Sequence, residues 1–146
     1  MTREEIDEFI HEIHNMSLAT IAADGRPHLV AMWYGFIGNE LAFWTYRKSQ
    51  KAVNLRRDPR LSCLIEGGLN YQQLKGVELV GTGVILEDPE IVREVGESVY
   101  RRYMGVLDDN GKEVVKRMGQ KRVAVRIDVD HVVSWDHSKL ADTSSA

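Results

Sequence analysis

The stretch from Ser17 to Tyr46, "SLATIAADGRPHLVAMWYGFIGNELAFWTY", constrains the fold more than any other part of the chain. It reads as strand, turn, strand, turn, strand. Asp24-Gly25 and Gly38-Asn39 are two-residue hairpin signals, and the runs between them predict strands over residues 18–22, 28–37 and 40–46. Turns this short join antiparallel neighbours, because parallel strands need a crossover of a dozen residues or more. The second run is long and largely apolar, which predicts burial on both faces.

The remaining sequence continues the pattern. Residues 61–66 predict a strand broken by Gly67 and Gly68. Residues 75–86 predict a long strand, and its glycines at 76, 81 and 83 mark a bulge or a barrel bend. In the last strand, Val123, Val125, Ile127 and Val129 alternate with Ala124, Arg126, Asp128 and Asp130, the period of a half-exposed strand. Four helices are predicted beside these strands. The first covers residues 2–14, with a Thr2/Glu5 capping box and an apolar stripe of Ile6, Phe9, Ile10 and Ile13. A short one over 48–57 is stopped by Asp58-Pro59. Pro89 opens the third, whose apolar face is Ile91, Val92, Val95, Val99 and Tyr103, and the fourth spans 111–118. Six strands without βαβ alternation predict an antiparallel β-barrel with helices packed outside, α+β in class, as one domain over residues 1–146. The tail "ADTSSA" is expected to be loose.

Several chemistries find no support. The single cysteine, Cys63, excludes an internal disulfide and reads as a buried, inert thiol. No HExxH, GxSxG, GxGxxG, Walker or paired-carboxylate pattern is present. His11 and His14 read as solvent-facing, and no metal site is expected. The net charge of −3 argues against general nucleic-acid binding. No run approaches the ~18 apolar residues of a membrane span, and the N-terminus lacks a signal-peptide core, so a cytoplasmic protein is expected.

Against that acidic background, "TYRKSQKAVNLRRDPR" holds six basic residues and one acid, a local charge of +5. A strand ends at Tyr46, and Ser49 is a suitable cap for the helix that follows. A helix N-terminus flanked by Lys48 and Lys51 suits a phosphate. The same residues also suit a solvated cationic helix face.

"HLVAMWYGFIGNELAFWTYRKSQKAVNLRRDPRLSCLIE" resembles the pyridoxamine 5′-phosphate oxidase-like proteins with an FMN-binding split β-barrel. Phe43, Thr45, Ser49, Lys51, Leu55, Asp58 and Pro59 match that family's pattern, while Gln50 stands where the family has an arginine. "DGRPHLVAMWY", "KSQKAVNLRRDPR" and "SWDHSKL" resemble more closely the branch of deazaflavin-dependent reductases. The resemblance implies coenzyme F-420, whose long anionic tail accounts for cations spread along a groove. It implies phosphate contacts from Ser49, Gln50 and Lys51, tail contacts from Lys48 and Arg57, and further contacts from Thr45 and Asn54. Met32, Trp33 and Tyr34 are expected beside the ring, and Trp135 and Lys139 complete the pocket, across the interface of a homodimer. The implied activity is hydride transfer to an unsaturated or conjugated small molecule, with no catalytic side chain identified. An FMN-dependent oxidoreductase and a non-catalytic flavin- or haem-binding module are the alternatives.

Overall fold

The computed structural model describes residues 1–140; the tail "ADTSSA" lies outside the described residues. The elements are α1 (Arg3–His11), β1 (Met16–Ile21), β2 (Pro27–Met32), β3 (Gly35–Ile37), β4 (Glu40–Tyr46), α2 (Gln50–Arg57), β5 (Arg60–Gly67), β6 (Lys75–Leu86), α3 (Pro89–Tyr103), α4 (Asp109–Gly119) and β7 (Arg122–Asp136). A single 3₁₀ turn, Tyr71–Gln73, precedes β6.

All seven strands belong to one antiparallel sheet of order β2-β1-β5-β6-β7-β4-β3. The two edge strands, β2 and β3, are consecutive in sequence and joined only by Trp33 and Tyr34. Three Cα steps reach at most about 11 Å. The sheet must therefore curl until its edges nearly meet. β2 and β3 do not pair, so the barrel stays split along one seam. This is the expected α+β split barrel, with one strand more than predicted.

The extra strand arises because the predicted strand over 28–37 breaks at Trp33 and Tyr34. Tyr34 is fully buried, and its hydroxyl donates to the Ile10 carbonyl at 2.7 Å. Its own carbonyl accepts from Arg102 Nε at 3.0 Å. Side chains and helix ends thus take the polar groups that a ladder would have used. β2 itself is not buried on both faces. It is an edge strand whose outward residues Pro27, Leu29 and Ala31 are exposed. α1 also stops earlier than the apolar stripe suggests. Arg102 donates to the carbonyls of His11 and Glu12, both at 3.0 Å, and Glu12 is already extended. Ile13 is left exposed.

Two apolar clusters hold the fold. Inside the barrel lie Met16, Leu18, Phe43, Leu61, Ile65, Val77 and Val125, with Cys63 among them. Burial pushes the Cys63 thiol up to about 12, so it is inert at neutral pH. Outside, α3 covers Ala42 of β4 and Ala124 of β7 with Val92, Val95 and Val99. β4 and the first half of β7 are therefore buried on both faces. The β6–β7 register shifts between Val80 and Gly81, where a Cβ on Gly81 would stand 1.9 Å from the Asp128 carbonyl oxygen. That is the bulge the glycines signalled. Beyond it the alternation fails, and Val129 is exposed. No helix among the described residues is long and apolar enough to cross a membrane.

Candidate functional site

The basic stretch starts where β4 ends. Ser49 caps α2, its Oγ accepting from the Ala52 N–H at 3.3 Å, and Thr45 donates its hydroxyl to the same oxygen at 2.9 Å. Thr45 is buried and fixes the cap. The first amides of a helix have no intrahelical acceptor, and the first turn of α2 carries no acidic residue. The N-terminus of α2 is thus an end of positive potential with donors to spare.

The six cations divide into two groups. Arg56 donates to the Arg47 carbonyl at 2.8 Å and stands 3.8 Å from Glu87. Arg57 donates to the Ile21 carbonyl. Arg60 forms two bonds with Asp58, at 3.0 and 2.7 Å, and holds that carboxyl down at about 2. These three arginines have structural work. Arg47, Lys48 and Lys51 have no carboxylate partner among the described residues. Lys51 is half-buried, and burial lowers its pKa from the ordinary 10.5.

Lys51 faces a cleft of about 290 Å³ at the barrel seam. β2 and its exit contribute Met32 and Trp33; β4 contributes Trp44, Thr45 and Tyr46. Val99 of α3, Met118 of α4 and Arg122 of β7 close the far wall. Trp33 is 45% exposed and lies flat on Tyr103, the ring centroids 4.7 Å apart and the planes within 5°. Arg122 lies over Tyr46 at 4.1 Å and Trp44 at 5.0 Å.

The cleft brings together four of the residues expected from sequence: Met32, Trp33, Thr45 and Lys51. Ser49 supports it from behind, and Lys48 lies at a neighbouring depression with Tyr46, Arg47 and Lys121. Other expected residues have different duties. Asn54 is fully buried, donating to Thr20 Oγ1 at 3.0 Å and accepting from Gln50 Nε2 at 2.7 Å. It ties α2 to β1, and it occupies the amide of Gln50. Tyr34 turns away into the core, where burial pushes its hydroxyl pKa well above the usual tyrosine range. Trp135 and Lys139 do not reach this cleft. Trp135 lies at the other end of β7, about 40 Å along the strand from Arg122, with its ring over Gly76. Lys139 donates to Glu5 at 2.8 Å; that bond, with the Thr2 cap, holds Glu5 down at about 2.

Sequence reading missed Trp44, Met118 and Arg122. Arg122 reaches the seam only because β7 pairs with β4, in the register Arg122↔Tyr46. No local pattern announces that pairing. Among the described residues no three His, Cys, Asp or Glu side chains cluster as metal ligands.

An antiparallel sheet curled into a barrel and left open at one seam, with a cationic helix end at that seam, is a split β-barrel of the flavin-binding oxidoreductase type. Residues 2–136 match the family model described as pyridoxamine 5′-phosphate oxidase, and the chain belongs to that family. It is 49% identical to a conserved hypothetical protein of Mycobacterium tuberculosis, over 97% of this chain and 88% of that one, with a TM-score of 0.93. An F420 reductase matches at 24% identity and a TM-score of 0.68, over 87% of this chain and 94% of its own. The haem storage protein HutZ from Vibrio cholerae matches at 19% and 0.69, over 90% and 92%. The last two share the fold.

Proposed function

We propose that the chain is a deazaflavin-dependent reductase that binds coenzyme F-420 at the seam and reduces an unsaturated or conjugated small molecule. One observation carries this reading: Lys51 is a half-buried cation without a carboxylate partner among the described residues, at a helix N-terminus whose first turn holds no acid, facing an aromatic cleft. A buried ammonium left unpaired costs stability. An anionic ligand offsets that cost.

Lys51 and the first amides of α2 hold the phosphodiester on this reading. Met32, Trp33 and the unpaired edge of β2 flank the ring, whose polar groups the strand's free N–H and C=O groups can bond. Lys48 meets the tail carboxylates together with Arg47, since Arg57 is engaged by the Ile21 carbonyl. When bound, the reduced deazaflavin supplies the hydride; the protein positions donor and acceptor face to face. Gln50 gives its amide to Asn54, so position 50 offers no guanidinium fork to a terminal phosphate at the start of α2. That favours a phosphodiester over the near-dianionic phosphate of FMN. Trp135 and Lys139 enter the site from a second copy in a homodimer. Exposed Val129, Val132 and Val133 on the same strand are apolar surface for that contact.

The test is a single-turnover experiment with chemically reduced F-420 and a panel of conjugated acceptors. Return of the oxidised absorbance only when protein and acceptor are both present supports the reductase. Binding of F-420 with no turnover for any acceptor would leave a carrier or sensor and overturn the enzyme reading.

A further inference from the structure

The seam cleft carries a second cation that F-420 phosphate binding does not use. Arg122 has no carboxylate partner among the described residues, and its Nη1 donates to the Met118 carbonyl at 3.0 Å. The Tyr46 and Trp44 rings, 4.1 and 5.0 Å from the guanidinium carbon, hold the guanidinium in place, with donors on Nε and Nη2 left over. Cation–π stacking orients such a group without satisfying its N–H donors. The cleft lining contains Lys51 and Arg122 as its charged residues and no Asp or Glu. Most of its remaining wall is aromatic or thioether surface, from Trp33, Trp44, Tyr46, Met32 and Met118, which suits a flat conjugated molecule; Thr45 and Val99 complete the lining.

From this we infer that Arg122 is a specificity-determining residue that binds the carboxylate of a planar, conjugated acid. A planar fork already held in place receives a carboxylate through two parallel N–H···O bonds and loses little freedom in doing so. The phosphodiester belongs at the α2 N-terminus with Lys51, and the carboxylate belongs at the β7 end with Arg122. Naming this acid as the hydride acceptor rests on the reductase reading. The preference of the cleft for an aromatic carboxylate does not.

The probe is trans-cinnamate, compared with its neutral isostere trans-cinnamamide, and no cofactor is added. Trp33 and Trp44 line the cleft, so intrinsic fluorescence reports occupancy, and calorimetry checks it. Wild type is expected to prefer cinnamate by about tenfold or more, the order of one charge-assisted contact. Arg122→Gln should abolish the preference, Arg122→Lys should retain part of it, and Lys51→Met should retain most of it. Equal affinity for the two probes, no binding of cinnamate, or a preference that survives Arg122→Gln and is lost in Lys51→Met would overturn the assignment. Should Arg122→Gln melt early, the Lys51→Met and Arg122→Lys arms still decide. A cinnamate preference in a protein that fails to bind F-420 would sink the reductase reading and leave the carboxylate site standing.

Discussion

Replacing Lys51 by Met separates binding from folding at a single position. Methionine matches the lysine side chain out to Cε, so the apolar stem in the cleft wall is preserved; only the ammonium is lost. In wild type that ammonium is half-buried and has no ion-pair partner among the described residues. Removing it therefore relieves desolvation and breaks no hydrogen bond or ion pair among the described residues. The apo variant should be as stable as wild type at neutral pH, or slightly more so. Burial sets the folded pKa of Lys51 below its unfolded value of 10.5. Below the folded pKa both states are protonated, and the cost of burying the charge is present in full. As pH rises through the folded pKa toward 10.5, the unfolded chain binds more protons than the folded one, and wild-type stability recovers relative to the variant. Urea unfolding of both proteins across that alkaline window measures the change. Cofactor affinity moves the other way. A charge-assisted hydrogen bond contributes roughly 1.5–3 kcal/mol, so F-420 should bind Lys51→Met about 10- to 100-fold more weakly. Wild-type affinity should itself fall at alkaline pH while the variant's stays flat. Unchanged affinity in Lys51→Met would remove Lys51 from the site. A clear loss of apo stability would contradict the claim that it has no partner.

Three other substitutions or treatments check the scaffold behind the cleft. Asn54→Leu strands the buried Thr20 hydroxyl and the Gln50 amide, and should cost about 1–3 kcal/mol in urea unfolding. In Gly96→Ala, the new Cβ would stand 2.4 Å from the Trp44 ring; overpacking of roughly 1–3 kcal/mol should outweigh the ~1 kcal/mol of helix propensity gained. Because Trp44 lines the cleft, ligand affinity should drop as well. Cys63, with its thiol pushed up to about 12 by burial, should resist a thiol reagent at pH near 8 until the protein unfolds; rapid native-state labelling would show that the barrel opens there.

Local signals carried most of the fold. Hairpin turns at Asp24-Gly25 and Gly38-Asn39, the Thr2/Glu5 capping box and the boundaries of β4 and β6 all appear where expected, because each is decided by a few neighbouring residues. The misses share one cause. The break at Tyr34, the early end of α1 and the burial of Asn54 are set by partners far away in sequence: Arg102 on α3, and Thr20 on β1. The site divides in the same way. Ser49 and Lys51 belong to one continuous motif and were legible. Arg122 and Met118 come to the cleft through β4–β7 pairing and helix packing, which no short motif records. The excess of charge in residues 45–60 was legible as a sum, but three of its arginines proved to be bound within the fold.

The central claim is that the seam binds a deazaflavin through the cations at the start of α2. Titrating purified protein with F-420 and, separately, with FMN, at low and high salt, tests it most directly. The account predicts tight F-420 binding that weakens as salt rises and exceeds FMN binding under both conditions. Preference for FMN, or no binding of either, would contradict it.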